Sequence, residues 1–252
     1  MTDRDTLPTK LKNDAILEAV LEARFEPDPS LVPEIFIGRF ADNPKWSGFK
    51  HARLAPADIP APIRRADPNL RYLPSIEMTS PDGGRVLRIG PQAVTYSRRG
   101  AYPGWDTSFG AELQAVVEHL YRVVPNVSVS RLGLRYVNAL KSDIHGITSI
   151  ADLAIIISVG EQTLGNSLNL NFKTNIGTDF ETMSRIASID LAEGVIPEHA
   201  TVIVDIDVHT GGAFTVNEED RVKNWVVEAH DYEKAAFFKV LGKENTERLR
   251  EK

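Results

Sequence analysis

Apolar residues at every second position constrain this chain more than any other feature. Leu17, Ala19, Leu21, Ala23 and Phe25 alternate with Glu18, Glu22, Arg24 and Glu26. Val202, Val204, Ile206 and Val208 alternate with Ile203, Asp205, Asp207 and His209. A period of two marks a strand with one buried and one wet face. The first stretch is rich in good helix formers, but its period decides for a strand. Two other stretches follow the helical period instead. Phe109, Leu113, Val116, Val117, Leu120 and Val124 share one helix face, with Asp106 or Thr107 as cap and Pro125 as stop. Val222, Trp225, Val226, Ala229, Phe237 and Leu241 mark a final helix. Asn217 caps it, and Gly242 breaks it before a charged tail, Lys243–Lys252.

The remaining segments read as follows. A short helix runs from Asp28-Pro29-Ser30 to Phe40, with Val32, Phe36, Ile37 and Phe40 on one face. Residues 42–68 hold Pro44, Pro56, Pro60, Pro62 and Pro68 and read as a long irregular loop with one short strand near Phe49–Leu54. Tyr72–Thr79 and Arg85–Ile89 flank Pro81-Asp82-Gly83-Gly84 as a hairpin, and Ala93–Ser97 is a further strand. Val127–Leu140, Leu168–Lys173 and Phe180–Leu191 are strands, and Ser149–Ile156 is a short helix. Gly211-Gly212 turns the chain.

Each half then runs strand, short helix, antiparallel strands, long helix. Gly100-Ala101-Tyr102 precedes the first long helix, and Gly212-Ala213-Phe214 precedes the second. The expected fold class is α+β, built from two tandem helix-grip-like repeats in which a curved antiparallel sheet wraps a long helix. The domain reading is a tail over 1–13, a first repeat over 14–126 and a second over 127–252, forming one intimate unit. Edge-to-edge joining of the two sheets would remove exposed edges.

Composition removes several function classes. The 252 residues contain no cysteine, which excludes disulfides, thiolate zinc sites and cysteine nucleophiles. No stretch reaches the roughly 18 apolar residues of a membrane span. Met1–Asn13 lacks the apolar core of a signal peptide, so a cytoplasmic location is expected. A net charge of −6 gives the chain no basic footprint, which disfavours nucleic acid as a partner. There is no Gly-Lys-Ser/Thr phosphate loop, no Gly-x-Ser-x-Gly elbow and no His-Glu-x-x-His pattern, and no cofactor is expected.

Four patches resemble an uncharacterised family of sporadically distributed bacterial proteins of about this length. They are Leu11-Lys12-Asn13 running into Glu18-Ala19-Val20-x-Glu22-x-Arg24-Phe25; Tyr102-x-Gly104-Trp105; Arg131-x-Gly133-Leu134-Arg135-Tyr136-x-Asn138; and His230 with Phe237-Phe238. The chain departs from that pattern at Asp14, where the family more often has a small residue followed by proline. The resemblance implies a bacterial or phage origin, a full-length single unit and a mobile-element or phage-defence accessory role. It brings no activity with it.

Candidate chemistry lies on the strands. Arg131 and Arg135, four apart on one strand, point to the same face about 13 Å apart. With Gly133 between them they form a candidate cradle for a phosphate or carboxylate. Pairing with Glu18 and Glu22 of a neighbouring strand is the alternative. Asn138 and Trp105 complete the candidate ligand-binding set; Asn138 can instead tie down a turn, and Trp105 can staple the start of its helix. Asp205, Asp207 and His209 share one strand face, about 7 Å between neighbours. They are the candidate metal ligands, against the alternative of an ordinary wet face. Strand-borne cations, among them Arg71, Arg85, Arg88, Arg98, Lys173 and Arg185, suggest a tunnel for a polyphosphate. Val20 interrupts the glutamate alternation that such a tunnel needs. His119 and His230 read as structural histidines or general bases.

The expected function is a non-catalytic binding or interaction module for a protein partner or a small anionic ligand. A metal-dependent phosphohydrolase is the alternative. The surplus apolar surface of the last helix, with Trp225, Tyr232 and its phenylalanines, suggests a homodimer.

Overall fold

The computed structural model describes residues 7–26, 31–124, 126–165, 167–192, 197–211 and 214–251. Along the chain the elements are β1 (Ile16–Glu26), α1 (Pro33–Ala41), β2 (Lys50–Arg53), α2 (Ala61–Ala66), α3 (Pro68–Arg71), β3 (Ile76–Thr79), β4 (Arg85–Ile89) and β5 (Ala93–Arg99). Then follow α4 (Gly110–Val123), β6 (Ser128–Lys141), α5 (Ser142–His145), β7 (Ile157–Val159), β8 (Gln162–Leu164), β9 (Asn169–Asn175), β10 (Glu181–Ser188), β11 (Ala200–His209), α6 (Glu219–Leu241) and α7 (Lys243–Leu249). The class is α+β with antiparallel sheet pairing. Alternation does what it predicted: in β1, Leu21, Ala23 and Phe25 are buried while Glu22 and Arg24 are half-exposed. In β11 burial alternates at every residue. Among the described residues no helix is long and apolar enough to cross a membrane.

The chain divides into two compact units. One comprises Val20–Leu134 and Thr210–Val227 and is here the α4 unit. Its strands run in the order β2-β3-β4-β5, followed by its portions of β1 and β6. Helix α4 presents Leu113, Val116, Val117 and Leu120 to the core, each at most 3% exposed. Burial of each such side chain contributes about 1.5–3 kcal/mol. Phe25, Phe36, Phe40 and Trp46 extend that core through edge-on and stacked ring contacts.

The other unit comprises the described residues of Met1–Ala19, Arg135–His209 and Glu228–Lys252 and is here the α7 unit. In it the carboxy-terminal portion of β6 is followed by β11, β10 and β9. Register pairs Ser184 with Ile206 on one side and Phe172 on the other. Leu11, within the segment expected to be a tail, is buried and bridges Arg250, and the Lys12 N–H donates to the Leu249 carbonyl at 2.8 Å. His145 is fully buried. Its Nδ1 accepts the Lys141 N–H at 2.9 Å, so Nε2 carries the proton and donates to Asn13 O at 3.2 Å.

Several expectations change. Residues 42–68 are not an irregular loop: they carry a turn of 3₁₀ helix at Pro44–Trp46, another at Ala55–Asp58, and helix α2, and Pro68 opens α3. Their prolines sit in first turns, where a missing N–H costs nothing, so they start helices. Arg64 anchors the segment, 6% exposed, donating to Ser75 Oγ at 2.8 Å and Pro56 O at 3.1 Å. The helix expected at Ser149–Ile156 shrinks to a 3₁₀ turn, Ile150–Asp152, closed by a reciprocal Ser149/Asp152 capping box. The hairpin β7–β8 that follows was not expected. Gly242, at φ +84, does end α6, but the charged tail beyond it is helix α7. Trp105–Phe109 forms a π turn before α4, with no side-chain cap from Asp106 or Thr107. The expected signals at Asp28-Pro29-Ser30, Pro125 and Gly212-Ala213 lie outside the described residues.

Candidate functional site

In the α4 unit, Arg131 donates from Nη1 to Glu22 Oε1 at 2.7 Å, and Arg24 Nε reaches the same oxygen at 2.7 Å. Both partners of the Arg131–Glu22 bridge are about a quarter exposed. Gly133 is buried. In the α7 unit, Arg135 forks onto Asp205, Nε to Oδ1 at 2.7 Å and Nη2 to Oδ2 at 2.6 Å. That bidentate bond pushes the guanidinium above its ordinary range. Each arginine of the candidate cradle therefore already holds a carboxylate of its own unit. Asn138, 3% exposed, donates to Val204 O at 3.3 Å and ties β6 to β11.

Trp105 opens the π turn with its ring edge-on to Phe109, centroids 6.3 Å apart. The indole lies so close to Gly110 that an added Cβ would come within 3.0 Å of it. The same ring lines a surface cavity of about 660 Å³ with Asp106, Gln114, Asp220, Lys223 and Asn224. Thus Trp105 both closes the start of the helix and forms a cavity wall.

Asp205, Asp207 and His209 lie on the half-exposed face of β11. Asp205 is taken up by Arg135, and His209 Nδ1 lies 3.2 Å from Glu181 O. Among the described residues no group of three or more His, Asp or Glu side chains is placed to hold a metal ion. His119, in the α4 unit, sits edge-on to Phe40 at 4.7 Å with Nε2 3.1 Å from Phe40 O, and burial lowers its pKa. In the α7 unit, His230 faces Tyr136 Oη at 3.3 Å; burial pushes its pKa down to about 3.

Sequence reasoning missed a large concavity of the α7 unit. A groove of about 1250 Å³ lies along one side of α6 from Tyr232 to Val240, roughly 12 Å of helix. Its other wall is β9, with Phe172 and Thr174 facing in opposite Ser184 and Thr182 of β10. Ser184 is 3% exposed, yet Phe172 on the same face is 43% exposed. The sheet thus extends one strand beyond its helical cover. Phe172, Ile176, Phe238 and Val240 give the groove an apolar lining, and Lys239 and Lys243 stand at it. Among the described residues no carboxylate pairs with either lysine, whereas Arg250 pairs with Glu247 at 3.1 Å. The outer edge of β9 is unpaired among the described residues. The available signal was the alternation of Leu168, Leu170 and Phe172 with polar residues, combined with the excess apolar circumference of α6.

Glu233, also in α6, is buried, and among the described residues its Oε1 has no hydrogen-bond partner. Desolvation pushes this carboxyl up to about 8, so it is protonated at neutral pH.

No family model matches the chain, and no curated protein matches it. Among solved structures it is similar to the duplicated taurocyamine kinase of Schistosoma mansoni. The form with bound transition state analog components gives a TM-score of 0.41 and 10% identity over 92% of this chain. The substrate-free form gives a TM-score of 0.41 and 11% identity over 93%. The chain spans 34% of the length of those kinase chains, and a likeness of this depth sets neither fold nor activity.

Proposed function

We propose that the protein is a non-catalytic interaction module that takes up an extended acidic–apolar segment of a protein partner. The segment lies along the edge of β9, with its apolar side chains in the groove beneath α6 and its carboxylates against Lys239 and Lys243. One observation carries the reading: among the described residues, an unpaired strand edge borders an apolar groove whose two lysines lack carboxylate partners. Strand addition supplies affinity through main-chain hydrogen bonds and specificity through alternate side chains. The groove exceeds the roughly 300–1,000 Å³ of small-molecule pockets, which favours a peptide over a small anion at this place.

The tandem helix-grip-like arrangement belongs to the same reading. Its support is the order of elements: β1 then α1 before strands and α4, and β6 then α5 before strands and α6. The resemblance to the sporadic bacterial family, and the accessory role it implies, are part of the proposal too. The phosphohydrolase alternative has less to stand on, because Asp205 is engaged by Arg135.

The test is selection of a displayed random-peptide library on the intact protein. Enriched peptides should carry Asp or Glu beside apolar residues and should lose at least tenfold in affinity on the double substitution Lys239→Glu, Lys243→Glu. Failure to enrich any peptide, or peptides indifferent to that substitution and to Phe238→Asp, would remove the proposal.

A further inference from the structure

A second concavity lies wholly within the α4 unit. It has a volume of about 370 Å³ and is walled by Trp46, Phe49 and Tyr96, with Lys45, Arg85 and Glu112 at its boundary. Arg85 and Arg98 stand directly opposite each other in the β4–β5 register. Like charges in that position destabilise a sheet, so their fates matter. Arg98 is satisfied: its Nε donates to Glu112 Oε2 at 2.8 Å and its Nη2 to the other carboxylate oxygen. Tyr96 Oη donates to Glu112 as well, at 2.8 Å. Glu112 is held below the usual carboxylate range by these bonds, against the opposing effect of burial. Its charge is thereby matched by Arg98 and is not available to Arg85.

Arg85 instead lies over the ring of Phe49, its guanidinium carbon 5.0 Å from the centroid. Among the described residues no carboxylate forms an ion pair with Arg85 or with Lys45. Asp82 feels Arg85 electrostatically, but its Oδ1 already accepts from the Ser80 hydroxyl and the Gly84 N–H. The cavity therefore brings two cations that form no ion pair with a carboxylate among the described residues to a space walled by three aromatic rings. A guanidinium fixed against a ring is pre-organised for a forked oxyanion contact, and the low-polarity walls strengthen its field.

We infer that this cavity binds a small molecule carrying a phosphate or carboxylate group on a flat apolar body, with the oxyanion on Arg85 and Lys45 and the flat body against Trp46 and Phe49. The inference is independent of the peptide reading and survives its failure.

Calorimetric titration of the full chain with phenyl phosphate tests it, with inorganic phosphate and benzyl alcohol as controls. Phenyl phosphate should bind saturably and at least tenfold more tightly than inorganic phosphate, and benzyl alcohol should give no saturable signal. Arg85→Met keeps the apolar stem on Phe49 and should weaken phenyl phosphate at least tenfold; Arg85→Lys should recover part of the loss. Where circular dichroism finds Arg85→Met unfolded, Lys45→Met, at an exposed position, serves in its place with an expected loss of threefold or more. No saturable binding of phenyl phosphate at 10 mM, or binding unchanged by these substitutions, would overturn the inference.

Discussion

Glu233 makes stability depend on pH in a way that one substitution should abolish. Its carboxyl is fully buried and pushed from 4.5 to about 8 by desolvation. Between those values the native state holds a proton that the unfolded state has released, so stability falls as pH rises. At about 1.4 kcal/mol per pH unit, the whole window is worth about 5 kcal/mol. His230 acts in the opposite sense lower down, since burial pushes it from 6.5 to about 3. There the unfolded state holds the extra proton, and stability rises with pH. The slopes of these two groups alone cancel between pH 4.5 and 6.5. Above pH 6.5 Glu233 acts alone, and stability drops by about 2 kcal/mol by pH 8. His119 and His145, also lowered by burial, steepen the acid side. Urea unfolding of the wild type and Glu233→Gln from pH 4.5 to 9 reads this directly. The variant should lose the alkaline fall, and its advantage over wild type should grow by about 5 kcal/mol across the window. Parallel profiles for the two proteins would refute the buried, unpartnered carboxyl.

Other consequences are as direct. Glu112→Ala strands the Arg98 guanidinium, whose side chain is only 16% exposed, and removes the acceptor of Tyr96; a loss of about 3–5 kcal/mol in urea unfolding is expected. Gly90→Ala places a Cβ 2.5 Å from the Leu73 carbonyl oxygen, backbone that cannot rotate away, and should cost about 1–3 kcal/mol by the same assay. The Arg135–Asp205 bridge has an arginine 49% exposed, so a double-mutant cycle should give a coupling of about 1 kcal/mol or less that shrinks in 0.5 M salt.

How far the sequence could be read depended on whether a signal was local. The strands β1 and β11 and the helix α4 announce themselves by period, because one face of each meets a continuous apolar core. The 42–68 segment was opaque because proline has two meanings, breaking a helix within it and favouring its first turn. Its decisive residue, Arg64, is held by Pro56, Leu73 and Ser75, partners that no local pattern announces. The candidate cations show the same limit. Residue type and spacing single out Arg131 and Arg135, but charge is available only where no carboxylate lies across the sheet. Glu22 and Asp205 occupy those two, while Arg85, one among many strand-borne arginines, lies over the ring of Phe49 with no ion-paired carboxylate among the described residues. The groove of the α7 unit depends on a sheet outrunning its helix, a matter of packing that composition does not record.

The most direct test of the interaction reading is amide hydrogen exchange in β9 with and without a peptide selected on the intact protein. Strand addition places new main-chain hydrogen bonds on the outer edge of Asn169–Asn175, so roughly every second amide there should slow at least tenfold on binding, while exchange in β4 stays unchanged. A peptide that binds tightly and leaves every β9 amide exchanging at its free rate would contradict the account.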